Sequence, residues 1–215
     1  MIERLVPPAV AVVSTRRDLT GIELFEEEEL SVARAVEKRR REFITSRACA
    51  RLALQRLGTG PAAIPSREHG EPLWPDGVVG SITHTRGYGA CAVAKAADVL
   101  TIGIDAERHE PLPPGVLEHV AFGRERATAA EQDAQVCLDR LLFSAKEAVY
   151  KAWFPATNRW LGFEDVELDI DVAGAAFRAR LLVPRPVMRG IRLTELRGRW
   201  CVEDGIVATA VVVAR

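Results

Sequence analysis

The sequence predicts an α+β protein of two similar lobes, each with antiparallel strands beside a long helix. Three observations carry this reading. Two segments, about 27–57 and 141–153, repeat apolar residues at three- and four-residue steps and are rich in helix formers. Short apolar, β-branched runs separated by turn residues read as strands. Helix plus antiparallel strands occurs in both halves, so the lobes meet near residue 102.

In chain order, Ala9–Ser14 is a short strand. Residues 27–57 form a helix in two pieces, stopped by Gly58. Leu30, Ala33, Val36, Phe43, Ala50, Leu54 and Leu57 mark its buried side. Its polar side is basic, with Lys38, Arg39, Arg40, Arg41, Arg47, Arg51 and Arg56. Arg39 and Arg47 lie about two turns apart and share a face, an arrangement suited to a phosphate monoester, against the plain reading of a solvated face. The Pro- and Gly-rich stretch 58–77 is loop, and its segment Ser66-Arg67-Glu68-His69 is either a plain connection or a cradle for a nucleotide base. Strands at 78–84 and 89–94 are joined by a Gly-containing turn, and a strand at 99–104 continues the meander. His84 ends a strand, where it is structural, exposed, or a donor to phosphate. Residues 115–137, with Arg124, Glu125, Arg126, Glu131 and Asp133, read as weak helix and polar loop, the least core-like part of the second half and a candidate partner contact. After a turn at 160–163 come strands near 164–171 and 176–183, then a hairpin about Asp204-Gly205 pairing 197–203 with 206–213.

Composition narrows the class. The chain has 215 residues with 48% hydrophobic content, enough for a real core in one large or two small domains. A formal net charge of −1 excludes a general nucleic-acid binder, whose field would be strongly basic. Cys49, Cys91, Cys137 and Cys201 lack C-x-x-C spacing and read as buried free thiols in a reducing compartment. Met1–Pro8 lacks the blocks of a signal peptide, and no apolar run reaches the roughly 18 residues of a membrane span. The expectation is a soluble, cytoplasmic protein with no membrane and no nucleic-acid partner.

Two stretches carry candidate chemistry. Val99–Ile104 runs as a buried strand into Asp105-Ala106-Glu107, and alternate residues of a strand face one side. Two such carboxylates repel and need a cation. In the helix Leu141–Trp153, Glu147 and Lys151 lie one turn apart, so the pair is either an ordinary helix ion pair or a third carboxylate with a phosphate-facing ammonium. Ser144 with Glu147 also fits a capping box. Three carboxylates completed by water form a hard-cation site suited to Mg²⁺, with positions left for phosphate oxygens.

Gly103-Ile104-Asp105-Ala106-Glu107 followed by Phe143-Ser144-Ala145-Lys146-Glu147-Ala148-Val149-Tyr150-Lys151-Ala152 resembles the two signature motifs of 4′-phosphopantetheinyl transferases. Trp74-Pro75 and Gly80-Ser81-Ile82-Thr83-His84 match a third, weaker motif. The Arg39–Arg47 helix and Leu161-Gly162-Phe163 look like actinobacterial members of the Sfp-type branch. The set, in this order and with Asp105 and Glu147 42 positions apart, is highly specific. The resemblance implies a pseudo-twofold pair of α+β lobes, 1–102 and 103–215, with coenzyme A between them. It implies transfer of the phosphopantetheine arm of coenzyme A to a serine of an apo acyl or peptidyl carrier protein, releasing adenosine 3′,5′-bisphosphate. By position, Asp105, Glu107 and Glu147 would hold Mg²⁺ (or Mn²⁺) on the diphosphate, with the Ala106 carbonyl nearby. Lys151 would neutralise the diphosphate, His84, Arg39 and Arg47 would bind phosphates, and Ser66, Arg67, Glu68, His69 and Thr83 would lie near adenine and ribose. Relatives often carry Gly-Lys-Pro where this chain has Gly70-Glu71-Pro72, so Arg67 stands as the substitute cation.

Attack of a hydroxyl on a diphosphate needs charge neutralisation and a proton acceptor. Glu147, directly or through a metal-bound water, is the first choice of base, the alternative being a ligand role only. Competing classes are an Mg²⁺-dependent nucleotide hydrolase using the same carboxylates and a non-catalytic nucleotide-binding protein. The chain is long enough to supply both lobes, so a monomer is expected. The carriers served belong to polyketide, non-ribosomal peptide (including siderophore) or lipid synthesis.

Overall fold

The computed structural model describes residues 1–130 and 136–215. Strands β1 (Ala11–Thr15), β2 (Val78–Thr85) and β3 (Tyr88–Lys95) form an antiparallel sheet in the order β1-β3-β2. Strands β4 (Val99–Arg108), β5 (Val166–Asp171), β6 (Ala176–Leu181), β9 (Glu195–Glu203) and β10 (Ile206–Ala214) form a second, in the order β4-β10-β9-β6-β5. The expected hairpin at Asp204-Gly205 joins β9 to β10, with Ile206 opposite Glu203. A two-stranded hairpin, β7 (Val187–Met188) with β8 (Ile191–Arg192), was not foreseen: each strand is too short to show a period.

The expected meander ends after β3. Strand β4 leaves the first sheet and pairs along its length with β10. It still runs beside β2, where side chains replace ladder bonds. The Ile104 amide donates to Ser81 Oγ (3.1 Å) and the Ala106 amide to Thr83 Oγ1 (3.0 Å). The constant offset between these partners means that the strands advance in the same direction. This seam joins the two sheets and places the acidic end of β4 against β2.

Helices α1 (Glu26–Val32) and α2 (Glu37–Arg56) are the two expected pieces. Helix α2 packs Cys49, Ala50, Ala53 and Leu54 on Val13, Cys91 and Val93. Leu30 and Val36, expected to be buried, are 76% and 73% exposed, and Ala33 is exposed as well. The break between the helices resets the phase, so one 3.6-residue stripe cannot run across both. Arg47 and Arg51, placed on the polar side, point inward. Arg51 pairs with fully buried Glu28, whose Oε1 also accepts the Ile64 amide at 2.9 Å.

The segment after β4 forms α3 (Leu117–Val120) and α4 (Glu125–Ala130). It is not core-poor: Val120, Ala121 and Ala129 join the main core, and Glu125 is buried. Glu131 and Asp133 lie outside the described residues. Cys49 and Cys91 are buried free thiols, burial pushing Cys49 up to about 11, whereas Cys137 and Cys201 are only partly buried. Among the described residues no helix is long and apolar enough to cross a membrane.

Helix α5 (Leu138–Thr157) extends the predicted helix at both ends and ends at left-handed Asn158, whose amide bonds the Phe154 carbonyl at 2.8 Å. It packs Leu141, Ala145, Ala148, Val149, Ala152 and Trp153 into the core of the five-stranded sheet. The helix backbone lies directly against β4 at Gly103, where an added Cβ would meet the Ala148 carbonyl and the Ala152 amide. Both are helix backbone and cannot rotate away. Gly103→Ala is therefore expected to cost about 3 kcal/mol, read from the urea midpoint, by overpacking at this contact. An unchanged midpoint would mean that the helix and strand separate freely.

Candidate active site

The end of β4 and one face of α5 converge. Asp105 and Glu107 project from the same side of the strand, while Arg140, Glu147 and Lys151 recur at seven- and four-residue steps along the helix. Asp105 is buried, and its Oδ1 accepts Lys151 Nζ at 2.7 Å and Thr83 Oγ1 at 3.4 Å. Its Oδ2 is buried with no partner. Lys151 is thus salt-bridged to the strand rather than to Glu147, deciding against the ordinary helix pair. Ser144 is no cap either. It lies inside α5 and meets Thr209 Oγ1 of β10 at 3.0 Å.

Glu107 Oε2 accepts Arg140 Nη1 at 3.3 Å. Burial, then repulsion from Asp105, pushes Glu107 up to about 7 against the opposing Arg140 and Lys151 charges. Burial and Asp105 also raise Glu147, with Lys151 opposing. Three carboxylates thus feel one another, with two cations among them. Among the described residues no three His, Cys, Asp or Glu groups are closed around a common metal position. The buried, unpartnered Asp105 Oδ2 and the all-oxygen donor set nevertheless fit a hard divalent cation.

Beside these groups lies a cleft of about 300 Å³. Helix α2 contributes Arg39 and Arg47, the 66–72 loop Ser66, His69 and Glu71, and β2 Thr83 and His84. Helix α5 supplies Glu147, Tyr150, Lys151 and Phe154. Asp105 stands one step behind this wall, touching Thr83 and Lys151. Arg67 lines an adjoining cavity of about 240 Å³ instead, and exposed Glu68 lines neither.

The two expected phosphate arginines differ. Arg39 is 66% exposed, with Nη1 3.7 Å from Glu42 Oε2. Arg47 is buried over the Phe43 ring, donating from Nε to the Ile64 carbonyl (2.6 Å) and from Nη2 to Ser66 Oγ (3.0 Å). Burial lowers it to about 10. His84 sits 3.8 Å from Asp18 Oδ1 and 3.9 Å from Glu42 Oε1.

Sequence reasoning missed several residues. Tyr150 stacks on Phe154 (5.6 Å between centroids), and His69, already expected near the base, meets Phe154 edge-on at 5.2 Å, forming an aromatic wall. The four-residue step from Tyr150 to Phe154 could have revealed it. Burial, then the Glu71 and Glu147 charges, raises the Tyr150 phenol. Arg140, seven residues before Glu147, was visible only by extending the helix face backwards. Lys146 enters the sequence reading only as part of the second motif. Its ammonium is buried, donating to Glu125 Oε2 (2.7 Å) and to the Val120 and Phe163 carbonyls (both 2.8 Å).

Comparison with known proteins identifies the family. Residues 26–94 match the family described as 4′-phosphopantetheinyl transferase N-terminal domain, and residues 101–209 match the 4′-phosphopantetheinyl transferase superfamily. The chain is 52% identical to 4′-phosphopantetheinyl transferase Svp of Streptomyces mobaraensis, over 89% of this chain and 79% of that protein. It is 48% identical to PptT of Mycobacterium tuberculosis over 91% of this chain and 88% of the relative. With Npt of Nocardia iowensis the identity is 45% across the full length of both. A fold that seats an acidic strand end and a Glu–Lys helix face beside one cleft, together with matches over nearly its whole length, places this chain in the 4′-phosphopantetheinyl transferase superfamily of enzymes.

Proposed function

We propose that this enzyme transfers the 4′-phosphopantetheine group of coenzyme A to a serine of apo acyl or peptidyl carrier proteins, giving holo-carrier and adenosine 3′,5′-bisphosphate. The observation that carries this reading is the single cleft with Arg39, Arg47 and His84 on one side and Glu147 and Lys151, backed by Asp105, on the other. A nucleotide with several phosphates matches the charges of Arg39, Arg47 and Lys151, with His84 beside them. The aromatic wall of His69, Tyr150 and Phe154 suits the uncharged parts of the same molecule.

In this reading Asp105, Glu107 and Glu147, with the Ala106 carbonyl nearby, hold Mg²⁺, or Mn²⁺ in its place. When bound, the ion neutralises charge on the diphosphate oxygens. Lys151 moves from Asp105 to those oxygens, and Arg39, Arg47 and His84 hold the phosphates. Ser66, Arg67, Glu68, His69 and Thr83 serve the adenosine end, Arg67 and Glu68 from outside the cleft wall. The carrier serine oxygen forms a bond to the phosphorus bearing the pantetheine arm. The bond from that phosphorus to the bridging oxygen breaks, and the leaving bisphosphate keeps the electron pair. Glu147, whose burial raises its proton affinity, takes the serine proton. The chain acts as a cytoplasmic monomer with pseudo-twofold halves 1–102 and 103–215, serving polyketide, peptide, siderophore or lipid assembly.

Intact-mass analysis of an apo carrier incubated with the enzyme, coenzyme A and Mg²⁺ tests the reaction. A gain of one phosphopantetheine group, abolished by EDTA, is the expected result. Loss of coenzyme A without carrier modification would mean a hydrolase, and neither change, with coenzyme A bound, a binding protein.

The raised Glu107 gives a pH signature. Protons compete with the ion below about pH 7, where Glu107 is protonated, and not above it. Mg²⁺ affinity is expected to fall about tenfold from pH 8 to pH 6, with proton release on binding, both readable by calorimetry. In metal-free protein the sign reverses for stability: the folded state binds the extra proton, so stability falls as pH rises from 4.5 toward 7. A pH-independent affinity would remove Glu107 from the ion's ligands.

A further inference from the structure

Arg140 has no role in the scheme above, yet its guanidinium is the most fully used near the acidic cluster. Nε donates to the Glu110 carbonyl at 2.9 Å, Nη2 to the Pro111 carbonyl at 2.9 Å, and Nη1 to Glu107 Oε2 at 3.3 Å. Its side chain is 11% exposed and its bond to Glu107 is partly buried, while the bonds to the Glu110 and Pro111 carbonyls lie at the exposed edge. Beside it, Asp139 Oδ2 accepts the Leu112 amide at 2.8 Å. The first turn of α5 therefore grips the chain just as it leaves β4. Glu107 pairs with Val207 only one step before the β4–β10 ladder ends at Arg108, just past which the His109 amide still donates to the Gly205 carbonyl at 2.9 Å.

We propose that Arg140 is the positioning residue for Glu107: its guanidinium locks the β4 exit and occupies one carboxylate oxygen, leaving the other to face the cation shared with Asp105. This rests on the metal reading of the acidic cluster. A planar fork satisfies two carbonyls and a carboxylate at once, which a lysine ammonium at the same place cannot match in geometry. Oriented ligands bind hard cations better, and loss of such an outer partner typically costs 10–100-fold in metal affinity.

The test is Mn²⁺ titration of the full chain with coenzyme A and without carrier, bound ion read from loss of the free-ion paramagnetic signal and referenced to coenzyme A alone. Arg140→Lys, which keeps the charge, is expected to weaken Mn²⁺ about tenfold. In a Glu107→Gln background the same change is expected to do nothing further, because the two act as one unit. Asp139→Asn disturbs the same turn without touching Glu107 and should leave Mn²⁺ affinity unchanged, whatever it does to melting temperature. Unchanged or tighter binding in Arg140→Lys, an additive effect with Glu107→Gln, or an equal loss in Asp139→Asn overturns the proposal while the metal reading stands. Wild-type protein that binds no Mn²⁺, or binding indifferent to Glu107→Gln, overturns both.

Discussion

Glu147→Gln is expected to lower carrier modification by about 10²–10⁴-fold, the range over which a positioned base acts, while the protein stays folded. The amide keeps the size of the carboxylate and removes its charge. Burial and Asp105 already disfavour the ionised form of Glu147 in the folded protein. Neutralising it therefore relieves repulsion, and the melting temperature should hold or rise. Coenzyme A binding, followed by calorimetry, should persist because Arg39, Arg47 and Lys151 are untouched. Mn²⁺ affinity then separates two roles. Retained binding with lost turnover assigns Glu147 as the base, and binding lost along with turnover assigns it as a ligand. Near-normal turnover would remove Glu147 from the mechanism.

The second large effect is on stability. Lys146 and Glu125 are each 1% exposed and form an ion pair at 2.7 Å. Lys146 also serves two carbonyls, and Glu125 accepts the Phe122 amide (2.9 Å) and the Leu168 amide (2.6 Å). Helix α5, the helix α4, strand β5 and the turn after residue 160 all meet in this network. Burial lowers the Lys146 ammonium, and the Glu125 bond and charge pull it back up. Lys146→Met removes the cation and strands a buried carboxylate, with an expected cost of about 3–5 kcal/mol, measured by denaturant unfolding. Adding Glu125→Leu should recover only part of this loss. The charge disappears, but the Phe122 and Leu168 amides are left without acceptors. Full recovery in the double variant, or a cost below about 1 kcal/mol in the single one, would show that the network contributes little. Because Lys146 adjoins Glu147 in sequence, loss of activity here should follow loss of fold: below its melting range the variant should still bind coenzyme A.

Which residues could meet was local information, and the sequence by itself determined it. Alternation put Asp105 and Glu107 on one side of a strand, and helical spacing put Glu147 and Lys151 on one face. Asp204-Gly205 fixed the β9–β10 turn, and the order of motifs identified the family. The tertiary structure alone decided what those residues touch. Lys151 chose Asp105 over Glu147, although Glu147 is only one turn away. Arg47 and Arg51 turned inward because Ile64, Ser66 and Glu28 offered acceptors there. Strand β4 left its neighbour in sequence for β10, more than a hundred residues on, and Lys146 was buried because Glu125 came to meet it. Each of these outcomes depends on a partner distant along the chain. Burying a charge is tolerable only once that partner is in place, and local periodicity carries no record of where a distant partner will lie.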